Sequence, residues 1–409
     1  MTTGARALYI CYFGLREPLV QTQVLPYLRE LAAGGFGMSL LTFEPELRTR
    51  WSDEAIAEWR DRLRADGIDW HLMPYHKRPS LPATLYDIVA GAWRAAAIAR
   101  RGKIALFHGR STVGTAIGAL AKWKAGGRLI FDIRGFLAEE YVDAGRWRAG
   151  GLLFRLTKAA EQSLYRSSDG FVVLTERARE TLFPDGTGGR PLEVIPCCVD
   201  DERFAAAERI DRTAIRRELG IDDRLVFVYV GALGGYYLVP EMAEFLAAAR
   251  AQDRRVYALV LTQSSPDALT SELNRLGFTS DDFRMLKVAP EEVPKYLRAS
   301  DVALSLIRPS FARRSMSPTK FAEYLAAGLP VIASAGIGDL DAHIEEAHVG
   351  VLVQRFDRDA YTAAFDAIQE LRRDPELAAR CRAEARARYD LHTVGGERYR
   401  RLYDAVLRA

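Results

Sequence analysis

Ser315-Met316-Ser317-Pro318-Thr319-Lys320-Phe321-Ala322-Glu323-Tyr324-Leu325-Ala326-Ala327-Gly328-Leu329-Pro330-Val331-Ile332-Ala333 reads as a loop, a short helix and a strand in immediate succession. Ser317 is a good N-cap, and Pro318 suits the first helical position because its missing N–H is one of the donors that a helix start leaves unpaired. Gly328 followed by Pro330 stops the helix, and the β-branched residues after it open a strand. A helix that runs straight into a strand is one unit of an alternating α/β chain.

The alternation continues outward on both sides. Upstream, strands are predicted at Leu225 to Val230, Val256 to Thr262, Phe283 to Val288 and Val302 to Leu306, and downstream at Val351 to Val353. Helical patterns at Thr213 to Leu219, Pro240 to Ala251, Pro266 to Leu276 and Pro290 to Arg298 separate the upstream strands. The first half repeats the scheme, with strands at Arg6 to Phe13, Met38 to Phe43, Asp69 to Tyr75, Ala105 to His108, Arg128 to Ile133 and Gly170 to Leu174. Its helices are expected at Leu19 to Ala33, Asp53 to Ala65, Leu81 to Arg101, Thr112 to Ala125 and from Trp147 to Tyr165. Between the halves, Pro184 to Pro191 is a cluster of turn formers, followed by a strand at Leu192 to Ile195. Two doubly wound parallel sheets follow from this pattern, and a ligand cleft between them is the expectation, since such sheets bind beyond the carboxyl ends of their strands.

The 409 residues exceed what one hydrophobic core usually organises, which also favours two domains. With 57 basic and 54 acidic side chains, the net charge of +3 gives no field that would gather nucleic acid. Four cysteines, Cys11, Cys197, Cys198 and Cys381, match neither a disulfide framework nor a paired metal site, and a reducing cytoplasm fits best. No segment has the run of apolar residues needed to span a bilayer, so the expected location is cytoplasmic, at most bound to the inner face of a membrane. From about Ala360 onward the chain is helical and rich in arginine, which reads either as a basic surface for anionic lipid or an acidic acceptor, or as an ion-paired solvated face.

The helix around Lys320 carries chemistry as well as fold. Free N–H groups at a helix start and the positive end of its dipole form a ready anion site, and a diphosphate fits there. Lys320, with Arg313 and Arg314 in the preceding loop, can add charge-assisted contacts. Glu323 falls on a face where a carboxylate can accept from two ribose hydroxyls. An ordinary surface pair between Lys320 and Glu323 at i, i+3 describes the same residues equally well when the helix is taken alone.

The run Pro318 to Ile332 resembles the donor-site helix of glycosyltransferase family 4, whose fold is GT-B. Val194-Ile195-Pro196-Cys197-Cys198-Val199-Asp200 is similar to that family's interdomain Ile-Pro-Asn-Gly-Val-Asp signature, and Val228-Tyr229-Val230-Gly231-Ala232-Leu233 to the strand and turn that open its second domain. The resemblance implies two Rossmann-like domains facing across a cleft: an acceptor-binding domain over 1–200, a nucleotide-sugar domain over 201–388, and a helix at 389–409 that packs back on the first. It further implies that Glu323 holds the donor ribose, that Ser317, Thr319 and Lys320 form the diphosphate turn, and that Gly231, Leu233, Gly234 and Gly235 let the nucleotide approach the backbone. Gly14 matches the turn beneath the transferred sugar.

This chain also departs from the family. The first of the two donor-site glutamates is Ser315, and the arginine that often follows the second-domain glycine is replaced by Ala232-Leu233. Arg308, Arg313, Arg314 and Lys320 are the candidates for restoring the lost charge. Where many members carry a histidine near the sugar, the sequence is Phe131-Asp132-Ile133-Arg134-Gly135-Phe136, so Asp132 or Arg134 takes that catalytic place or forms a buried ion pair. His108, Glu139 and Glu140 are candidate acceptor contacts, with a polar strand-end role as the other reading of His108.

Asp339-Leu340-Asp341 spells a metal-binding triplet, yet after Gly336-Ile337-Gly338 it reads better as an N-cap and first-turn acid. His343 and His348 are five apart and fall on different helix faces, unlike a zinc pair. No metal and no cofactor is therefore expected beyond a nucleoside-diphosphate sugar as donor substrate. The resemblance implies a retaining transfer of a hexose-like sugar to a hydroxyl of a glycan or lipid-linked acceptor, in cell-surface polysaccharide or glycoconjugate synthesis. The rivals are a nucleotide-sugar epimerase on the same fold and a non-catalytic nucleotide-sugar-binding protein.

Overall fold

A computed structural model describes residues 4–76 and 78–409. The chain divides into two compact units, one ending at Pro196 and rejoined by Leu391–Ala409, the other spanning Cys197–Asp390.

The first unit holds seven strands: β1 (Arg6–Cys11), β2 (Gly37–Pro45), β3 (Ile68–Tyr75), β4 (Leu106–Arg110), β5 (Arg128–Asp132), β6 (Gly170–Val173) and β7 (Leu192–Val194). They form one parallel sheet in the order β3-β2-β1-β4-β5-β6-β7. Strands β1, β2, β4 and β6 are buried along most of their length because helices cover both faces of such a sheet. The sheet reverses direction between β1 and β4, which leaves an opening at their carboxyl ends.

The second unit repeats the plan with six parallel strands: β8 (Leu225–Val230), β9 (Val256–Leu261), β10 (Phe283–Leu286), β11 (Val302–Ser305), β12 (Val331–Ser334) and β13 (Gly350–Val353). Their order is β10-β9-β8-β11-β12-β13, so the reversal lies between β8 and β11. Helix Thr319–Ala326 connects β11 to β12, and its start therefore lies on the side of the sheet where β8 ends.

The helices differ from the sequence reading in specific places. Leu19 to Ala33 is two helices, Pro18–Gln23 and Leu25–Ala33, because Pro26 has no N–H to continue the ladder. The helix expected from Trp147 begins at Leu152, after Gly150 takes a positive φ of 70°, and Leu137–Asp143 is a separate helix. Asp201–Glu208 was not anticipated; its cap is Asp200, which accepts from the Glu202 N–H at 3.0 Å. In the arginine-rich C-terminal region, Arg382 pairs with Glu208, Arg386 with Asp201, and Arg401 with Glu193, at 2.9, 2.8 and 2.6 Å. Those pairings match the ion-paired, solvated helix face more closely than a free basic surface.

Candidate functional site

In the second unit, β8 ends at Val230 and the chain turns at Gly231 with φ +130°, a conformation side chains rarely adopt. Gly234 and Gly235, at φ +96° and +68°, face open space, and the Leu233 N–H just before them donates to Ser264 Oγ at 3.1 Å. The turn is thus anchored in its middle and unobstructed around its glycines.

Lys320 comes up against this turn. Its Nζ lies 3.9 Å from the ring centroids of both Tyr229 and Tyr237, and a β-carbon on Gly231 would stand 2.9 Å from it. Lys320 is 6% exposed, and among the described residues its Nζ has no hydrogen-bond partner. Burial drives the ammonium well below its usual pKa, with only the Glu323 carboxylate opposing that shift. Two ring faces offset part of the desolvation, but a buried cation without a hydrogen-bonded anion is an unfinished arrangement.

Glu323 follows one turn later on the same helix and is partly buried. Burial pushes its carboxyl up, while Arg203 and then Lys320 pull it back. Arg203, on the unanticipated helix Asp201–Glu208, is the cation that sequence reading missed; nothing local distinguishes it from other surface arginines.

The N-cap of helix Thr319–Ala326 is Pro318, and no side chain caps it. Ser317 is not the cap: its Oγ accepts from the Cys197 N–H at 3.1 Å and so ties the loop to the chain that enters this unit. Among the described residues, the first-turn N–H groups at Thr319 and Lys320 are consequently left without a side-chain acceptor. Ser315, in the place of the family's first glutamate, is buried with its hydroxyl donating to the Ala312 carbonyl at 2.8 Å.

The other basic candidates separate by exposure. Arg313 is buried and stacks its guanidinium 4.3 Å from the Tyr236 ring, which gives it a packing role. Arg308 and Arg314 are exposed, and the Arg308 N–H donates to the Tyr236 carbonyl at 2.8 Å.

In the first unit, the reversal between β1 and β4 opens into a cavity of about 220 Å³ lined by Phe13, Arg110, Ser111, Arg134, Glu140 and Tyr165, among others. Ser111, which starts helix Ser111–Ala125, holds a left-handed φ of +58°. Gly14 lies just past β1 and is fixed by packing, since a β-carbon there would meet Glu44 Oε2 and Pro45 Cδ at 2.8 Å each.

Asp132 lies beneath this cavity and is fully buried. The Tyr9 hydroxyl donates to it at 3.2 Å, and His108 Nε2, Arg134 and Arg110 stand 3.5, 3.5 and 3.7 Å away. Burial alone would raise its pKa, but Arg134, His108 and Arg110 together hold the carboxyl below the usual range. Asp132 is therefore the buried ion-pair partner of the two arginines. His108 is also fully buried, with Nδ1 2.8 Å from the Tyr403 hydroxyl, an interior placement at the end of β4 rather than one on the cavity wall. Glu139 is held by Lys158 at 3.1 Å, whereas Glu140 lines the cavity.

Asp341, of the acidic triplet, accepts the Gly336 N–H with both oxygens at 2.9 and 3.0 Å, and Asp339 flanks the helix start without a side-chain cap bond. Among the described residues no group of three His, Cys, Asp or Glu side chains is placed to hold a metal ion.

Residues 20–198 match the family model described as "Glycosyl transferase 4-like domain", and residues 211–388 match that of "Glycosyl transferases group 1". The chain belongs to the family 4-type glycosyltransferases and has their GT-B fold, with a transferase's activity as the family's common property. Among solved structures, a glycosyltransferase from Rickettsia africae aligns with a TM-score of 0.72 at 12% identity, over 100% of this chain and 99% of that one. HepE from Anabaena, in complex with UDP-glucose, aligns with a TM-score of 0.68 at 16% identity, over 98% and 99%. Sucrose-phosphate synthase from Thermosynechococcus elongatus gives 0.69 at 18%, over 98% and 100%. No curated protein matches the chain in sequence.

Proposed function

We propose that this glycosyltransferase takes a hexose or related sugar from a nucleoside diphosphate and passes it to a hydroxyl of a glycan or lipid-linked acceptor. In this reading it works in cell-surface polysaccharide or glycoconjugate synthesis, with retention at the anomeric carbon, without a metal, and in peripheral contact with a membrane. The observation that carries the donor assignment is Lys320, a buried amine without a hydrogen-bond partner among the described residues, beneath the Gly231 turn and at the start of helix Thr319–Ala326, which no side chain of its N-cap closes. A diphosphate laid on that turn supplies the missing anion and accepts from the first-turn N–H groups. Glu323, further along the helix, is placed to accept from ribose hydroxyls. The structural likeness to HepE in complex with UDP-glucose is in keeping with a uridine donor.

In the transfer, the bond from the anomeric carbon to the diphosphate breaks while the acceptor oxygen bonds to that carbon. The acceptor's proton passes to a phosphate oxygen. Negative charge grows on the leaving diphosphate, and Lys320 with the helix N–H groups stabilises it where it develops. Arg110 and Arg134, held by Asp132 in the first unit, orient the acceptor.

Thermal-shift titration with UDP, GDP and ADP tests the donor assignment, since a ligand that binds the folded state raises the midpoint. The proposal predicts a rise with one of them that the Lys320→Met variant loses. Incubation with UDP-glucose alone separates transfer from its rival: an epimerised product would establish epimerase chemistry, and slow hydrolysis or no reaction fits a transferase.

A further inference from the structure

Helix Ser80–Gly102 presents an apolar outward face. Leu81, Leu85, Val89 and Trp93 recur every fourth residue and are more than half exposed, with Tyr86 beside them at 61%. Between Ser80 and Trp93 the only charged residue is Asp87, and it is buried, accepting from the Tyr12 hydroxyl at 2.7 Å and the His76 N–H at 3.0 Å. A helix normally keeps its solvent side polar, so an apolar outer stripe of three turns marks a contact surface.

The stripe continues onto the next helix, Ser111–Ala125, which exposes Leu120 and Trp123, the latter at 80%. Lys124 joins the two, its Nζ 3.6 Å from the Trp93 ring centroid and 5.1 Å from that of Trp123. A third helix, Leu152–Ser167, packs beside the second and exposes Leu152 and Leu156.

Charge decides what covers this face. Residues 88–131 contain eight lysines and arginines and no aspartate or glutamate. Arg110 is buried, and Lys122 and Arg128 pair with Asp169, which leaves Arg94, Arg100, Arg101, Lys103 and Lys124 around the apolar stripe. A second copy related by a two-fold axis would bring this cationic rim against itself. A bilayer of anionic lipid instead satisfies both features: aliphatic side chains enter the acyl boundary, Trp and Tyr sit at headgroup level, and basic side chains reach the phosphates.

We infer that the paired helices Ser80–Gly102 and Ser111–Ala125 dock this chain on an anionic membrane surface. The inference deepens the membrane association proposed above, places it on the first unit rather than the arginine-rich C-terminus, and does not depend on the transfer chemistry.

The full chain is sedimented with vesicles of phosphatidylcholine, and with vesicles of phosphatidylcholine and phosphatidylglycerol. Binding is expected only with the second, weakening as salt is raised. Combining Leu85→Glu, Val89→Glu and Trp93→Glu should reduce it about tenfold or more, with the melting midpoint and its response to UDP unchanged. Because UDP binding is read separately, loss of the donor assignment and loss of the membrane surface are distinguishable. Failure of the native chain to bind phosphatidylglycerol vesicles overturns the inference, as does equal binding by the variant. A dimer dispersed by the same substitutions overturns it too, because a second copy would then be the occupant.

Discussion

The Nζ of Lys320 lies so close beneath Gly231 that a β-carbon there would stand 2.9 Å from it, and this contact joins the helix start to the strand-end turn. Lys320→Met should keep the packing against Tyr229 and Tyr237 while removing the charge. Nucleoside-diphosphate affinity should fall by about 1.5–3 kcal/mol, the range for a hydrogen bond to a charged group, or roughly tenfold to a hundredfold. Stability without ligand should not fall, because no hydrogen bond to Nζ is lost. Titration calorimetry with melting curves checks both.

The same residue gives a pH signature. Its folded pKa lies below the unfolded value, so between the two the unfolded chain binds more protons and stability rises with pH across that window. An anion bound beside Nζ raises the folded pKa again, so UDP binding within the window should take up a proton. Calorimetry in buffers of different ionisation heat measures this, and Lys320→Met should abolish it.

Glu323→Ala tests the other half of the donor site. Loss of charged hydrogen bonds to ribose should lower kcat/KM by roughly tenfold to a hundredfold, with the melting midpoint unchanged or raised because burial disfavours this carboxylate. Near-normal turnover would remove Glu323 from the site.

Gly231→Ala places a β-carbon at φ +130° and against the Lys320 ammonium. The backbone strain should cost about 1–3 kcal/mol, and displacement of Nζ should weaken UDP binding as well. A variant that melts lower yet binds UDP as the native protein does would mean that the turn matters only for folding.

Asp132→Asn leaves Arg110 and Arg134 without their shared carboxylate, and breaking such a buried arrangement should cost about 3–5 kcal/mol. The native carboxyl is depressed in the folded state, so its stabilisation is complete above the unfolded value near ~3.9 and is lost as pH falls through the folded one. Denaturant curves of both proteins, taken from neutral pH downward, should converge in acid.

Strand identities and the alternation of helix and strand were legible because side-chain periodicity and turn formers act locally. Helix Asp53–Ala65 and strand Leu225–Val230 appear with the expected limits. The donor helix was legible for the same reason, with Gly328 and Pro330 closing it before β12. Pro26 and Gly150 are local signals too, and each interrupts a helix that apolar spacing alone would carry through.

What the sequence settled by itself was the class of fold and the helix carrying Lys320 and Glu323, since caps, breakers and apolar spacing are properties of neighbouring residues. Tertiary structure alone decided that Lys320 is buried between Tyr229 and Tyr237, that Ser317 bonds to Cys197 instead of capping, and that Asp132 and His108 are interior. It also decided that Trp93 and Trp123 share one outward face. Burial and partnership depend on which strands become neighbours across the reversals of order, and residues far apart in the chain determine that together.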